Sequence, residues 1–218
     1  MDGRTLTRIV DQILAERGIS RLELCEAIGI ASASYTGWKK GSQPREDKVV
    51  AIGEIGLDYH YEDIPRQRQL EAFLAQMELA RELNLPVIVH ERDAHEDGMA
   101  IVKEFPKVKG VFHCYSGSAE MARQLVDMGW YIGFTGVLTF KNARKAVESA
   151  QAIPLDRIVI ETDCPFMSPE PFRGRRNDPS RVVHVANKLA QLRGISPEEA
   201  ARITFENGKR LYRITEKN

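Results

Sequence analysis

From Val49 onward, five short apolar runs at residues 49–52, 86–89, 110–112, 130–133 and 158–160 alternate with stretches of helical periodicity. Runs of three or four β-branched and aromatic residues read as strands buried on both faces. Between them, Leu70, Phe73, Leu74, Met77 and Ala80 share one helical face, and Met121, Leu125 and Met128 share another. Strand following helix following strand dictates a parallel sheet with right-handed crossovers, an α/β architecture. After the last strand, Asp178-Pro179 starts a helix carrying Val182, Val185, Ala186 and Leu189, and Ser196, Pro197 and Glu199 give a capped start to a final one.

Residues 1–48 follow a different pattern. Leu6, Ile9, Val10, Ile13 and Leu14 recur at helical spacing, Gly18 closes that helix, and Ser20 with Glu23 forms a capping box for the next. Ser32 can cap a third helix through Tyr35 and Trp38, ended by Gly41 and Pro44.

Composition excludes several classes. The chain has 218 residues, with 31 basic and 31 acidic side chains, so no net field draws it to nucleic acid or membrane and any anion site must be local. Its three cysteines lack a C-x-x-C pair, which argues against a disulfide framework and for a reducing cytoplasm. No apolar run reaches the length of a membrane span, and no signal-peptide layout is present.

Chemistry-bearing residues fall at the carboxyl ends of the strands: Glu54, His90, His113 and Asp163. In parallel α/β folds that end is the active-site face, so four such residues converge on one place. Carboxylate and imidazole donors suit Zn²⁺, Mn²⁺ or Mg²⁺.

The segments AIGEIGLDYH, PVIVHERDA, VFHCYSGS, IGFTGVLTF, IVIETDCPFMSPEPFRGRRNDP and FENGKRLY resemble, in order and spacing, the signatures of TatD-type metal-dependent deoxyribonucleases. The resemblance covers about residues 49–213 and implies a partial TIM-type parallel (β/α) barrel with about five of eight strands recognisable. It implies metal ligands Glu54, His90, His113 and Asp163, up to two divalent ions, and catalytic roles for Glu54 and Asp163. Glu54 would bridge the ions, and Asp163 would orient or deprotonate the attacking water in two-metal cleavage of DNA phosphodiesters. The family's first strand carries a His-x-His pair that this sequence does not contain. On that basis residues 49–218 are expected to be a hydrolase domain short of the first three β/α units. Asp163's ion is then weakly held, activity is impaired, and open sheet edges favour self-association.

Arg173, Arg175 and Arg176 form a local positive cluster that suits phosphate oxygens, the alternative being a solvated loop. Ser116 and Gly117 offer a hydroxyl and backbone donors to phosphate, or a plain strand-to-helix turn capped by Ser118. His60, His95 and His184 read as surface or supporting residues. The first 48 residues resemble the start of phage-repressor-type helix-turn-helix domains, with Ser32, Ser34, Tyr35 and Lys39 facing the major groove. They carry eight basic and seven acidic groups, without a phosphate-binding excess, and a helical patch with no DNA role is the competing reading. DKVVAIGE suits either piece, as the splice point of a chimera would. Two rivals to the nuclease reading follow: a DNA-binding regulator or inactive chimera, and a related barrel hydrolase acting on a small amide or ester.

Overall fold

The computed structural model describes residues 49–61 and 63–214. The expected helix-turn-helix, with Ser32, Ser34, Tyr35 and Lys39, lies outside the described residues. Among the described residues there are five strands, β1 to β5 in chain order, each pairing parallel with its neighbour within its own unit and alternating with helices. The chain divides into two units, residues 1–109 and 110–218.

In the first unit, β1 (Ile52–Asp58) pairs with β2 (Val87–Arg92), and α1 (Arg66–Leu83) and α2 (His95–Glu104) follow them in turn. The strand expected at 49–52 begins instead at Ile52, where Ile52 N–H donates to Pro86 O at 2.9 Å. Val49 and Val50 stay exposed while Ile55 and Leu57 supply the core, so the inward alternation starts later than the apolar run. Glu54 therefore stands inside β1, and β2 likewise continues past His90 to Arg92. The α1 face buries Phe73, Met77 and Ala80, each worth up to ~3 kcal/mol when large and apolar. Asn84 ends the helix in the left-handed conformation and donates its N–H to Ala80 O and Arg81 O.

Two glycines let β1 approach β2. A Cβ on Gly53 would sit 2.6 Å from Ile88 Cβ, and one on Gly56, at φ +131°, would sit 1.9 Å from the His90 carbonyl oxygen. Gly56 is the register partner of His90, and a register shift lies between Ile52 and Ile55.

In the second unit, β3 (Gly110–Phe112), α3 (Ala119–Asp127), β4 (Tyr131–Phe134), α4 (Arg144–Ala152) and β5 (Ile158–Ile160) precede the helices α5 (Val182–Arg193) and α6 (Pro197–Leu211). Phe112 and Trp130 meet edge to face at 5.3 Å within a core of Leu125, Ile132, Phe134, Ile158 and Leu189. The expected caps are present: Ser196 Oγ accepts from Glu199 N–H at 3.1 Å with Pro197 in the first turn, and Ser118 Oγ accepts from Met121 N–H at 3.1 Å. Asp178 accepts from Ser180 N–H at 2.9 Å ahead of a short 3₁₀ turn that leads into α5. Buried Asn207 on α6 donates to Leu155 O and Ile158 O at 2.8 and 2.6 Å, tying that helix to the start of β5.

Candidate metal centre

Alternation along β1 sends Ile55 and Leu57 inward, leaving Glu54 and Asp58 on the opposite parity. On β2, Val87, Val89 and Glu91 are buried while Ile88, His90 and Arg92 are half-buried. The pairing of Gly56 with His90 sets that imidazole between the two β1 carboxylates. His90 Nδ1 lies 3.0 Å from Glu54 Oε1, and Nε2 lies 3.1 Å from Asp58 Oδ2. The Glu54 hydrogen bond does most to hold the His90 ring above the usual histidine value; burial opposes it and Asp58 adds to it. The imidazole thus stands between two carboxylates that both favour its protonated form.

In the second unit, His113 follows β3 directly and is 9% exposed. Its Nδ1 is 3.7 Å from Glu161 Oε1, the same oxygen that accepts from Cys114 N–H at 2.7 Å. Gly133 makes room for this: a Cβ there would lie 2.7 Å from Glu161 Oε1 and 3.2 Å from His113 Cα. Tyr212 also feels that carboxylate. Its phenol is pushed up to about 12, by burial first and then by Glu161, and stays neutral at physiological pH.

Glu54 and His90 in the first unit, and His113 in the second, are each a donor of the kind that holds a divalent ion. One carboxylate and two imidazoles, with no thiolate, fit a divalent ion of the Zn²⁺ or Mn²⁺ kind. Asp163, also in the second unit, lies three residues beyond the end of β5, half-buried, with its carbonyl accepting from Phe166 N–H at 2.7 Å.

Arg173, Arg175 and Arg176 are all exposed. The Arg173 guanidinium rests 3.9 Å above the Phe140 ring, which leaves its edge groups in solvent. Arg181 organises the loop that carries them: it donates to Ser168 Oγ at 2.8 Å and Arg176 O at 2.7 Å, and lies 4.4 Å over Phe172. Ser116 is exposed in the turn after His113, and Gly117 is pressed against Tyr115, whose hydroxyl donates to Ser118 O at 2.7 Å. Of the remaining histidines, His60 Nδ1 lies 3.5 Å from Asp93, His95 pairs closely with buried Glu91, and His184 stacks edge-on against Phe172.

Sequence reasoning passed over Asp58 and Glu161. Both had a signal: Asp58 is four residues past Glu54, on the same strand parity, and Glu161 is two residues before Asp163. Neither signal names a partner, because the groups they touch lie 32 and 47 residues away in the chain.

A family model described as TatD related DNase matches residues 36–213, beginning ahead of the boundary expected at Val49. An uncharacterized metal-dependent hydrolase, YabD of Bacillus subtilis, is 54% identical over 170 residues, 77% of this chain and 67% of that one. A 3'-5' ssDNA/RNA exonuclease TatD of Citrobacter koseri is 37% identical over 177 residues, covering 78% of this chain and 68% of its own length. Among solved structures, a TatD homolog from Escherichia coli, YJJV, superposes with a TM-score of 0.74 at 34% identity, over 78% of this chain and 66% of that one. The chain spans about two thirds of the length of the relatives it matches.

Proposed function

Because the chain belongs to the TatD related DNase family, we propose that it is a divalent-metal-dependent hydrolase that cleaves phosphodiester bonds of single-stranded nucleic acid. What supports this reading is His90, set at 3.0 Å from Glu54 on the neighbouring strand, a carboxylate-and-imidazole pair of the kind that holds a divalent ion. A bound divalent ion supplies the positive charge that makes water nucleophilic near neutral pH and offsets charge building on phosphorus and the leaving oxygen. Glu54, His90 and His113 would hold that ion, and Glu161 Oε1 lies 3.7 Å from His113 Nδ1. Asp163 takes the water-orienting role, and Arg173, Arg175, Arg176 and Ser116 receive the phosphate oxygens flanking the cut. Residues from 49 onward carry this chemistry. The single-stranded substrate is taken from the activity named for the Citrobacter koseri relative.

The test is degradation of a labelled single-stranded oligonucleotide with added Mg²⁺, Mn²⁺ or Zn²⁺. Activity should vanish with a chelator and fall by at least about 100-fold in Glu54→Ala, since losing even a group behind a metal ligand costs ~10–100-fold. Hydrolysis that survives Glu54→Ala sinks the proposal. Cleavage of small esters or amides with none of DNA would favour the amide-or-ester hydrolase instead.

A further inference from the structure

Asp58 is held at both carboxylate oxygens. Oδ1 accepts from His60 N–H at 2.9 Å, and Oδ2 lies 3.1 Å from His90 Nε2. Its backbone is clamped as well: Gln69 of α1 accepts from Asp58 N–H through Oε1 at 2.8 Å and donates to Asp58 O through Nε2 at 2.9 Å. Such a pair of bonds from one amide fixes both the position and the tilt of the peptide that carries the carboxylate. The side chain is only 26% exposed, so solvent competes weakly for the contact.

The two nitrogens of His90 are therefore unequal. Nδ1 faces Glu54, a ligand on the proposed reading, and Nε2 faces Asp58, which that reading does not use. An imidazole can donate a lone pair to a metal only from the nitrogen without a proton, and a carboxylate at the other nitrogen keeps the proton there. We propose that Asp58, its backbone clamped by Gln69, is a positioning residue for His90: it holds the ring proton on Nε2 and turns the Nδ1 lone pair toward Glu54. This inference rests on the metal-dependent reading of the site.

A plainer role for Asp58 is the turn after β1, through the bond from His60 N–H. Asp58→Asn separates the two. The amide oxygen can keep the turn, while the NH₂ group then faces Nε2 as a donor and favours the opposite tautomer. The measurements are Zn²⁺ affinity by competition with a chromophoric chelator and the urea midpoint, for parent, Asp58→Asn, Asp58→Ala, Gln69→Leu and Glu54→Ala. They are joined by ¹⁵N NMR of the His90 ring in the Zn²⁺-loaded parent, assigned against His90→Gln.

The expected result is Zn²⁺ affinity ~10–100-fold weaker in Asp58→Asn and Asp58→Ala. The midpoint of Asp58→Asn should stay near the parent's, Gln69→Leu should weaken binding in the same direction, and the parent's His90 should carry its proton on Nε2. If both Asp58 variants bind Zn²⁺ within about twofold of the parent, or the proton sits on Nδ1, the inference is overturned. If the parent itself binds no Zn²⁺ that Glu54→Ala abolishes, the metal reading and this inference fall together.

Discussion

Replacing Gly56 with alanine tests how the backbone places His90. The added Cβ would stand 1.9 Å from the His90 carbonyl oxygen and 3.0 Å from its carbon. Carbon–oxygen contacts normally sit at about 3.3 Å or more, so β1 and β2 would have to part by roughly 1.4 Å at that point. No rotamer relieves the clash, because both atoms belong to the main chain. Separating strands spaced ~4.8 Å apart by that amount disrupts two or so ladder hydrogen bonds, each worth about 1 kcal/mol net. Gly56 also has φ +131°, and an alanine held there adds about 1–3 kcal/mol. The total is about 3–5 kcal/mol, a large share of the ~5–15 kcal/mol that holds a domain. At ~2–4 °C per kcal/mol for a chain of this size, the melting temperature should fall by roughly 6–20 °C. Gly194 is the control: it too has a positive φ, +67°, but nothing lies within 4 Å of its would-be Cβ. Gly194→Ala should cost only the conformational term, about 1 kcal/mol. If calorimetry and urea unfolding place the two variants within about 1 kcal/mol of each other, the close approach at His90 has been misjudged.

Two further outcomes follow from the same geometry. Glu54 and Asp58 hold the His90 ring in its protonated form above the usual histidine value, so a proton competes with a metal ion to a higher pH than at an ordinary histidine. Metal uptake should strengthen as pH rises through and beyond about 6.5, with a proton released per ion bound, read by calorimetry in buffers of different ionisation enthalpy. In the ion-free protein the sign for stability is opposite: a raised folded-state value contributes stability at low pH, and that contribution is lost as pH rises through it. Separately, Asn207→Ala removes both N–H groups that reach Leu155 O and Ile158 O, while Leu155 O keeps the Ile158 N–H as a partner. It should destabilise by about 2–3 kcal/mol in urea unfolding, and a loss under about 0.5 kcal/mol would contradict the tie between α6 and β5.

The parallel α/β framework was legible because each strand's apolar run is short and bounded, and because Phe73, Met77 and Ala80 fall on one helical face. The strand bounds were not. Val49 and Val50 look like the start of a strand and lie outside it, whereas Gly53, Glu54 and Gly56, poor strand formers, lie within β1. Tertiary pairing with β2 overrides local preference there, and the same glycines are required by the closeness of the strands. Helix α4 was also not marked from sequence, its nine residues offering only Ala146, Ser149 and Ala150 to the interior. At the site, Glu54, His90 and His113 could be singled out because each stands in or just after a strand. The groups behind them could not, since Asp58, Gln69 and Glu161 act through hydrogen bonds whose partners only the fold supplies.

The distribution of carboxylates carries one more consequence. The chain is neutral overall, with 31 acidic and 31 basic residues, yet four of its five histidines lie against an acid: His60 with Asp93, His90 with Glu54 and Asp58, His95 with Glu91, and His113 with Glu161. A polyanionic strand approaching His90 in the ion-free protein therefore meets two carboxylates and at most one imidazolium, a field that repels it. A divalent cation offsets the two carboxylates, because its charge is larger than that of the single proton it displaces. On the proposed reading, the ion would then be needed for an anionic substrate to dwell at the site as well as for its cleavage.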